Sequence, residues 1–247
     1  MGTGMELSND QLVEARSAHQ RRDWSTSYAA FVRVDGLRSM TLDDLDAYAS
    51  AAWRVGHARE AVRLAERVYA RLARTDSIAA ARKAAELGLQ WRTRGHDTVA
   101  RGWVEQARVL LVGAPTGGAH GYVAYLDAVT ALSDADLAAL ARAAAVLRDI
   151  AAETGDAALS VLERVVTGIH ALRDARPAEG YRLLDDALMP VMDERLPIEW
   201  AGDAYRLVLG SGPSWADDQH VVAWTQSLAR WCELTGVTSE LITDLPR

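Results

Sequence analysis

The chain has a single cysteine, Cys232, so no disulfide can form within it, and nothing in its cysteine usage points to an oxidising compartment. It has one lysine, Lys83, and one asparagine, Asn9. No run of about 18 apolar residues occurs, which leaves no candidate for a helical membrane span. The opening MGTGMELSND shows no basic segment followed by an apolar one, so no secretory leader is expected and the chain reads as cytoplasmic. A basic excess is missing too: Lys+Arg number 27 against Asp+Glu 34, a net charge of −7. Surfaces that bind nucleic acid gather positive charge, so direct nucleic-acid binding is not expected. Strand signals are absent, since no stretch alternates apolar and polar residues cleanly. The six prolines, Pro115, Pro177, Pro190, Pro197, Pro213 and Pro246, all fall where helices start or stop.

What remains is helical. Ala, Leu, Arg and Glu dominate, all strong helix formers. With 49% hydrophobic and 25% charged residues over 247 positions, the chain has enough apolar mass for a core. Apolar residues recur three and four apart, as at Leu64, Val68 and Leu72 and at Leu137, Leu140, Ala144 and Leu147, the spacing of amphipathic helices. Ser8, Thr41 and Asp76 or Ser77 stand where caps would open helices. GAPTGG (113–118) and GSGP (210–213) read as loops.

The helices repeat. VGHAREAVRLAERVY from Val55 is echoed by RGHDTVARGWVEQAR from Arg94 and by DARPAEGYRLLDDAL from Asp174, with steps of 39 to 40 residues. Asp23-Trp24 with Phe31 and Val34 opens a weaker copy, and Asp136 with Leu140 and Leu147 another. Each copy follows a helix with a small residue near its middle (Ala15, Ala49, Gly88, Ala128, Gly168), which lets the next helix approach closely. Six units are expected, near 9–36, 41–75, 77–112, 119–154, 156–192 and 197–235, in a single helical-repeat domain with a 236–247 tail. The last unit is degraded, and its second helix is expected to begin near Ala216.

This pattern resembles the tetratricopeptide repeat, most closely at Leu87, Gly88, Trp91, Gly95, Ala100 and Ala107. Over residues 10–235 the chain is similar to the helical-repeat region of actinobacterial LuxR-type transcriptional regulators, through ARSAHQRRDWSTSYAAF, DDLDAYASAAWRVGHAREAVRLAERVYARL, AELGLQWRTRGHDTVARGWVEQARVLL and WTQSLARWCEL. The repeats and a short tail are expected to take up these 247 residues, so no helix-turn-helix output domain is expected within them. The resemblance implies an all-α, right-handed superhelix of about six antiparallel helix pairs, with the first helix of each pair lining a concave face.

Few residues carry chemistry. No two of the six histidines stand three to five apart, so neither a metal site nor a cofactor is expected. Cys232 reads as a small buried hydrophobe, and the carboxylate pairs Asp43/Asp44, Asp185/Asp186 and Asp217/Asp218 as helix-end charges. Neither glycine-rich segment is followed by Lys-Ser/Thr, so no phosphate loop is present.

The concave face is the better candidate. Projected onto the sequence, it takes Leu12, Arg16 and His19, then Asp46, Ser50, Trp53 and Arg54, then Glu86, Leu89, Arg92 and Thr93. Tyr122, Tyr125 and Val129 follow, then Val165, Ile169, Leu172 and Arg173, then Ile198, Ala201, Tyr205 and Val208. Its first half is mixed and charged, its second apolar and aromatic. The expected role is that of a non-catalytic binding protein or scaffold, with a part in regulation, that recognises a protein or peptide through Trp53, Arg54, Arg92, Tyr122, Tyr125, Val129, Ile169, Arg173 and Tyr205. The alternatives are a receptor for an apolar small molecule, or a biosynthetic enzyme using the apolar half beside His170, Arg173 and Tyr205. A clamp of Lys and Asn around a terminal carboxylate cannot be built from one residue of each. Trp24, Trp91 and Trp103 are expected in packing, while Trp200, Trp215, Trp224 and Trp231 crowd the last unit, where the Trp224/Trp231 region offers a surface for homodimer formation.

Overall fold

A computed structural model describes residues 2–35, 40–188, 196–210 and 218–237, with side chains from residue 9 onward and, in the final stretch, from residue 219. The described residues form twelve helices and no strand, so the chain is all-α. They are α1 (Gly2–Gln20), α2 (Trp24–Val34), α3 (Leu42–Arg54), α4 (Ala58–Leu72), α5 (Ser77–Thr93), α6 (Asp97–Leu111), α7 (Gly118–Ser133), α8 (Leu137–Thr154), α9 (Ala157–Arg173), α10 (Pro177–Leu188), α11 (Ile198–Gly210) and α12 (Asp218–Thr235). Ala216 and Trp215 lie outside the described residues.

Five of the links are one turn repeated. After α1, α3, α5, α7 and α9 the chain reverses through three residues whose middle member is left-handed: Arg22 (φ 61°), Gly56 (85°), Gly95 (77°), Ala135 (55°) and Ala175 (56°). The next residue donates its N–H to the carbonyl five residues back, as His57 does to Ala52 (2.8 Å), Asp136 to Ala131 (2.9 Å) and Arg176 to Ala171 (2.8 Å). This closure satisfies carbonyls that the helix end would otherwise leave bare. Asp23 and Asp136 then cap α2 and α8 by accepting from Thr26 and Ala139, whereas α10 opens on Pro177, whose missing N–H costs nothing in a first turn.

The small residues sit where close contact requires them. A Cβ built on Gly168 would stand 3.2 Å from the Gly180 carbonyl oxygen, and one on Gly180 would stand 2.9 Å from that of Gly168, so α9 and α10 touch backbone to backbone. Gly88 meets the Ala100 carbonyl at 3.3 Å in the same way, and Ser27 donates to the Ala15 carbonyl at 3.1 Å. Thr41 opens α3 with a capping box completed by Asp44, and Asp76 caps α5 through the N–H groups of Ile78 and Ala79. The Ser8 start is corrected: α1 already runs from Gly2, so Ser8 lies inside it.

The chain divides into two compact units, residues 1–83 and 84–247, with the division inside α5. In the first, Leu12, Phe31, Leu45, Tyr48, Leu64 and Val68 form the core. Glu60 on α4 accepts from both Tyr28 and Tyr48, tying three helices at one carboxylate. In the second, α7 and α9 are buried on nearly every side, as expected of helices apolar all round. There α9 packs against α7, α8, α10 and α11.

Candidate functional site

In the second unit, Tyr122, Tyr125 and Val129 share one face of α7 because they are three and four residues apart. That face is covered by α11. Trp200 lies with its ring centroid 4.4 Å from Tyr122 and 5.8 Å from Tyr125, edge-on to the latter. The Tyr125 hydroxyl donates to Asp203 Oδ2 at 2.8 Å. Asp203 is 2% exposed, and its other oxygen accepts from the Arg206 guanidinium one turn further along α11. Arg92, at the end of α5, donates to the Val129 carbonyl at 3.0 Å and to the Ser133 hydroxyl.

The electrostatics close on themselves. An isolated buried carboxylate is costly, and here Arg206, Tyr125 and the field of Arg92 compensate it. Burial, then the charge of Asp203, holds the Tyr125 phenol well above its usual range, so this hydroxyl is a donor and not a base. Burial also lowers Arg92, against the opposing pull of Asp203 and Asp97.

The structure therefore unites Arg92, Tyr122, Tyr125 and Val129, but as packed rings and a satisfied polar network, with the three α7 residues buried. Ile169 is buried as well, and Arg173 is exposed at the end of α9. Tyr205 faces elsewhere: its hydroxyl lies 3.0 Å from Ser227 Oγ on α12, its ring packs near Trp231, and burial pushes its pKa up to about 12. Trp224 donates to Asp185 at 2.8 Å, and both Trp224 and Trp231 are buried within the unit.

In the first unit the equivalent face stays partly open. The Arg54 guanidinium stacks 3.9 Å above the Trp24 ring and donates to Ser50 Oγ at 2.6 Å. His19 meets the same indole edge-on at 5.2 Å. Burial, then the nearby Arg54, lowers the His19 pKa, with Asp46 opposing. Asp46, on the exposed edge, accepts from Lys83 Nζ at 2.6 Å, while the Lys83 side chain is only 10% exposed. Arg16 grips Asp44 with two bonds of 2.7 and 2.8 Å. Trp53 is half-buried on α3.

Asp203, Arg206 and Trp200 escape the spacing argument because they lie on α11 beside the positions that it picks out. A carboxylate set between Trp200 and Ala204, where the helix faces inward, was the available signal. Cys232 is half-buried and its thiol is pushed up by burial, the opposite of an activated nucleophile. In the Asp185/Asp186 pair the two carboxylates take different partners, Asp185 binding Trp224 and His220 and Asp186 binding Arg182, while the Asp217/Asp218 side chains lie outside the described residues. Among the described residues no three His, Cys, Asp or Glu side chains gather as a metal site would require. The chain matches no family model, and neither the curated proteins nor the solved structures yield a match.

Proposed function

We propose that the chain is a tetratricopeptide-like binding protein whose helical hairpins stack into a right-handed superhelix and that it recognises a peptide segment of a protein partner. The recurring left-handed turn, with a small-residue contact inside the hairpin, supports the repeat reading. Such repeats offer a preformed surface, which lowers the ordering cost of binding. The sequence resemblance to regulator repeats favours a partner in gene regulation over a metabolite.

The observation that carries the reading is the contrast between the two faces. In residues 84–247 the groove positions are filled by the chain's own Trp200 and Asp203. In residues 1–83, Trp53, Arg54 and Asp46 remain accessible, on a rigid frame of Trp24, Ser50 and Lys83. A stacked arginine with an exposed carboxylate beside it suits a short peptide of mixed charge better than an apolar molecule. Selection of a displayed peptide library on the full chain tests this. Selected peptides should bind saturably, and Trp53→Ala or Arg54→Ala should weaken them at least tenfold with helicity unchanged. Equal binding by both variants would remove this face from the reading.

A further inference from the structure

Within the second unit a cleft of about 200 Å³ runs between α5, α6 and α7. Gly88 sets its apolar wall, packing on Val104 and the Ala100 carbonyl of α6, while Leu126 reaches the same glycine from α7. Three arginines border it, Arg92 from α5 and Arg101 and Arg108 from α6.

The three differ in their counter-charge. Arg108 is neutralised by Asp127 in a close ion pair and by Glu105 at 3.5 Å. Arg101 holds Asp134 through Nη2 alone, at 3.2 and 3.4 Å, and its side chain is 59% exposed. The Arg92 side chain is only 12% exposed, and its hydrogen bonds, to the Val129 carbonyl and the Ser133 hydroxyl, both leave from Nη2. Asp97 lies 3.9 Å from its Nη1, beyond hydrogen-bond reach. Asp203 is bonded to Tyr125 and Arg206 and acts on Arg92 only through its field. Nε and Nη1 of Arg92 bond no group among the described residues, yet neither is sealed from solvent. A guanidinium largely removed from water with no carboxylate in contact is costly, and an incoming anion relieves that cost.

The two weakly neutralised arginines meet at one end of the cleft. Arg92 is held by Ser133 and Arg101 by the next residue, Asp134, so both guanidinia hang from the C-terminal end of α7. Thr130 lines the cleft one turn earlier, and the Arg108–Asp127 pair marks the other end.

We propose that the α5–α6–α7 cleft binds a small organic monocarboxylate, its carboxylate between Arg92 and Arg101 and its hydrocarbon part against Val104 and Leu126. The planar fork of a guanidinium matches a carboxylate. A single charge follows from the lining, because Glu105 and Asp127 repel a second one. Size follows from volume. An apolar cavity of about 150 Å³ accommodates benzene, so a cleft of about 200 Å³ takes one ring bearing a carboxylate. The site lies wholly within residues 84–247 and does not depend on the peptide face of residues 1–83.

Titration calorimetry of the full chain with benzoate tests the proposal, with benzamide as the neutral comparison and phenyl phosphate as the more highly charged one. The expected result is saturable one-to-one binding of benzoate, at least tenfold tighter than either comparison. Arg101 is exposed, so Arg101→Gln should leave the fold intact, weaken benzoate severalfold and leave benzamide unchanged. Thr130→Phe fills the cleft and should weaken benzoate at least tenfold with circular dichroism unchanged; if it disturbs helicity, Arg101→Gln alone decides. Binding of benzoate that is not saturable, that benzamide equals, or that ignores Arg101→Gln would overturn the proposal. Tighter binding of phenyl phosphate would overturn it as well, by assigning the arginines to a phosphate group.

Discussion

Asp44 shows how much one side chain can do. It completes the capping box of α3 through Thr41, and it receives both prongs of Arg16 from α1. The Arg16 bonds first, then those from Thr41, hold its carboxyl down at about 2 against burial that would raise it. Its side chain is 4% exposed but that of Arg16 is 44% exposed, so solvent screens the pair in part and the stability it carries falls short of the full shift. Because the folded pKa lies below the unfolded one, this stability is complete above about pH 4 and is lost as the pH falls through about 2; it is worth about 2 kcal/mol. Asp44→Asn should cost about that much at pH 7 and remove the corresponding part of the acid sensitivity, read by urea denaturation at pH 7 and pH 3. His19 acts in a separate window. Its folded pKa is lowered, so the unfolded chain takes up the proton first and stability declines as the pH drops below about 6.5. His19→Gln should flatten the curve between pH 7 and 5 without touching the Asp44 region.

At the scale of the element, the hairpin turn is the unit that recurs, and it shows what the sequence displays and what it conceals. Gly56 and Gly95 announce the left-handed position, since glycine takes it without steric penalty. Arg22, Ala135 and Ala175 occupy the same position with a Cβ, so the turn is set by the helices on either side and leaves no glycine to read. The helix pattern was legible from spacing, with Thr41 and Asp76 visible as caps. The start of α1 was not legible, because Ser8 resembles a cap wherever it stands. A strained alanine can be relieved. Ala135→Gly and Ala175→Gly should each stabilise the fold by about 0.5 kcal/mol, the left-handed penalty outweighing the added chain entropy. Gly95→Ala should destabilise by about 1 kcal/mol. Urea midpoints of the three variants at a common m-value decide the matter; if both alanine variants lose stability, the turn is not under the strain that its φ angles imply.

Over the whole molecule, sequence spacing reaches only neighbours along a helix. It placed Tyr122, Tyr125 and Val129 on one face, but it could not place Asp203 against Tyr125 across 78 residues, because that meeting depends on how α11 packs on α9. The same limit hid Lys83 beneath Asp46, 37 residues away. Composition makes that second pair testable. The chain carries one lysine among 27 basic residues, so its only amines are Lys83 Nζ and the N-terminus. Arginine does not react with amine-directed esters, so such a reagent reports on a single buried position. With its side chain 10% exposed and its ammonium held by Asp46, Lys83 should remain unmodified in the native protein while the N-terminal amine is acylated. In denaturant it should become reactive together with the loss of helicity in residues 1–83, and Asp46→Ala should expose it earlier by releasing the ammonium. Mass spectrometry of the labelled chain reads both amines at once. Modification of native Lys83 at the rate of a free lysine would mean that the partly open face of this unit lacks the buried support on which its rigidity, and with it the peptide reading, depends.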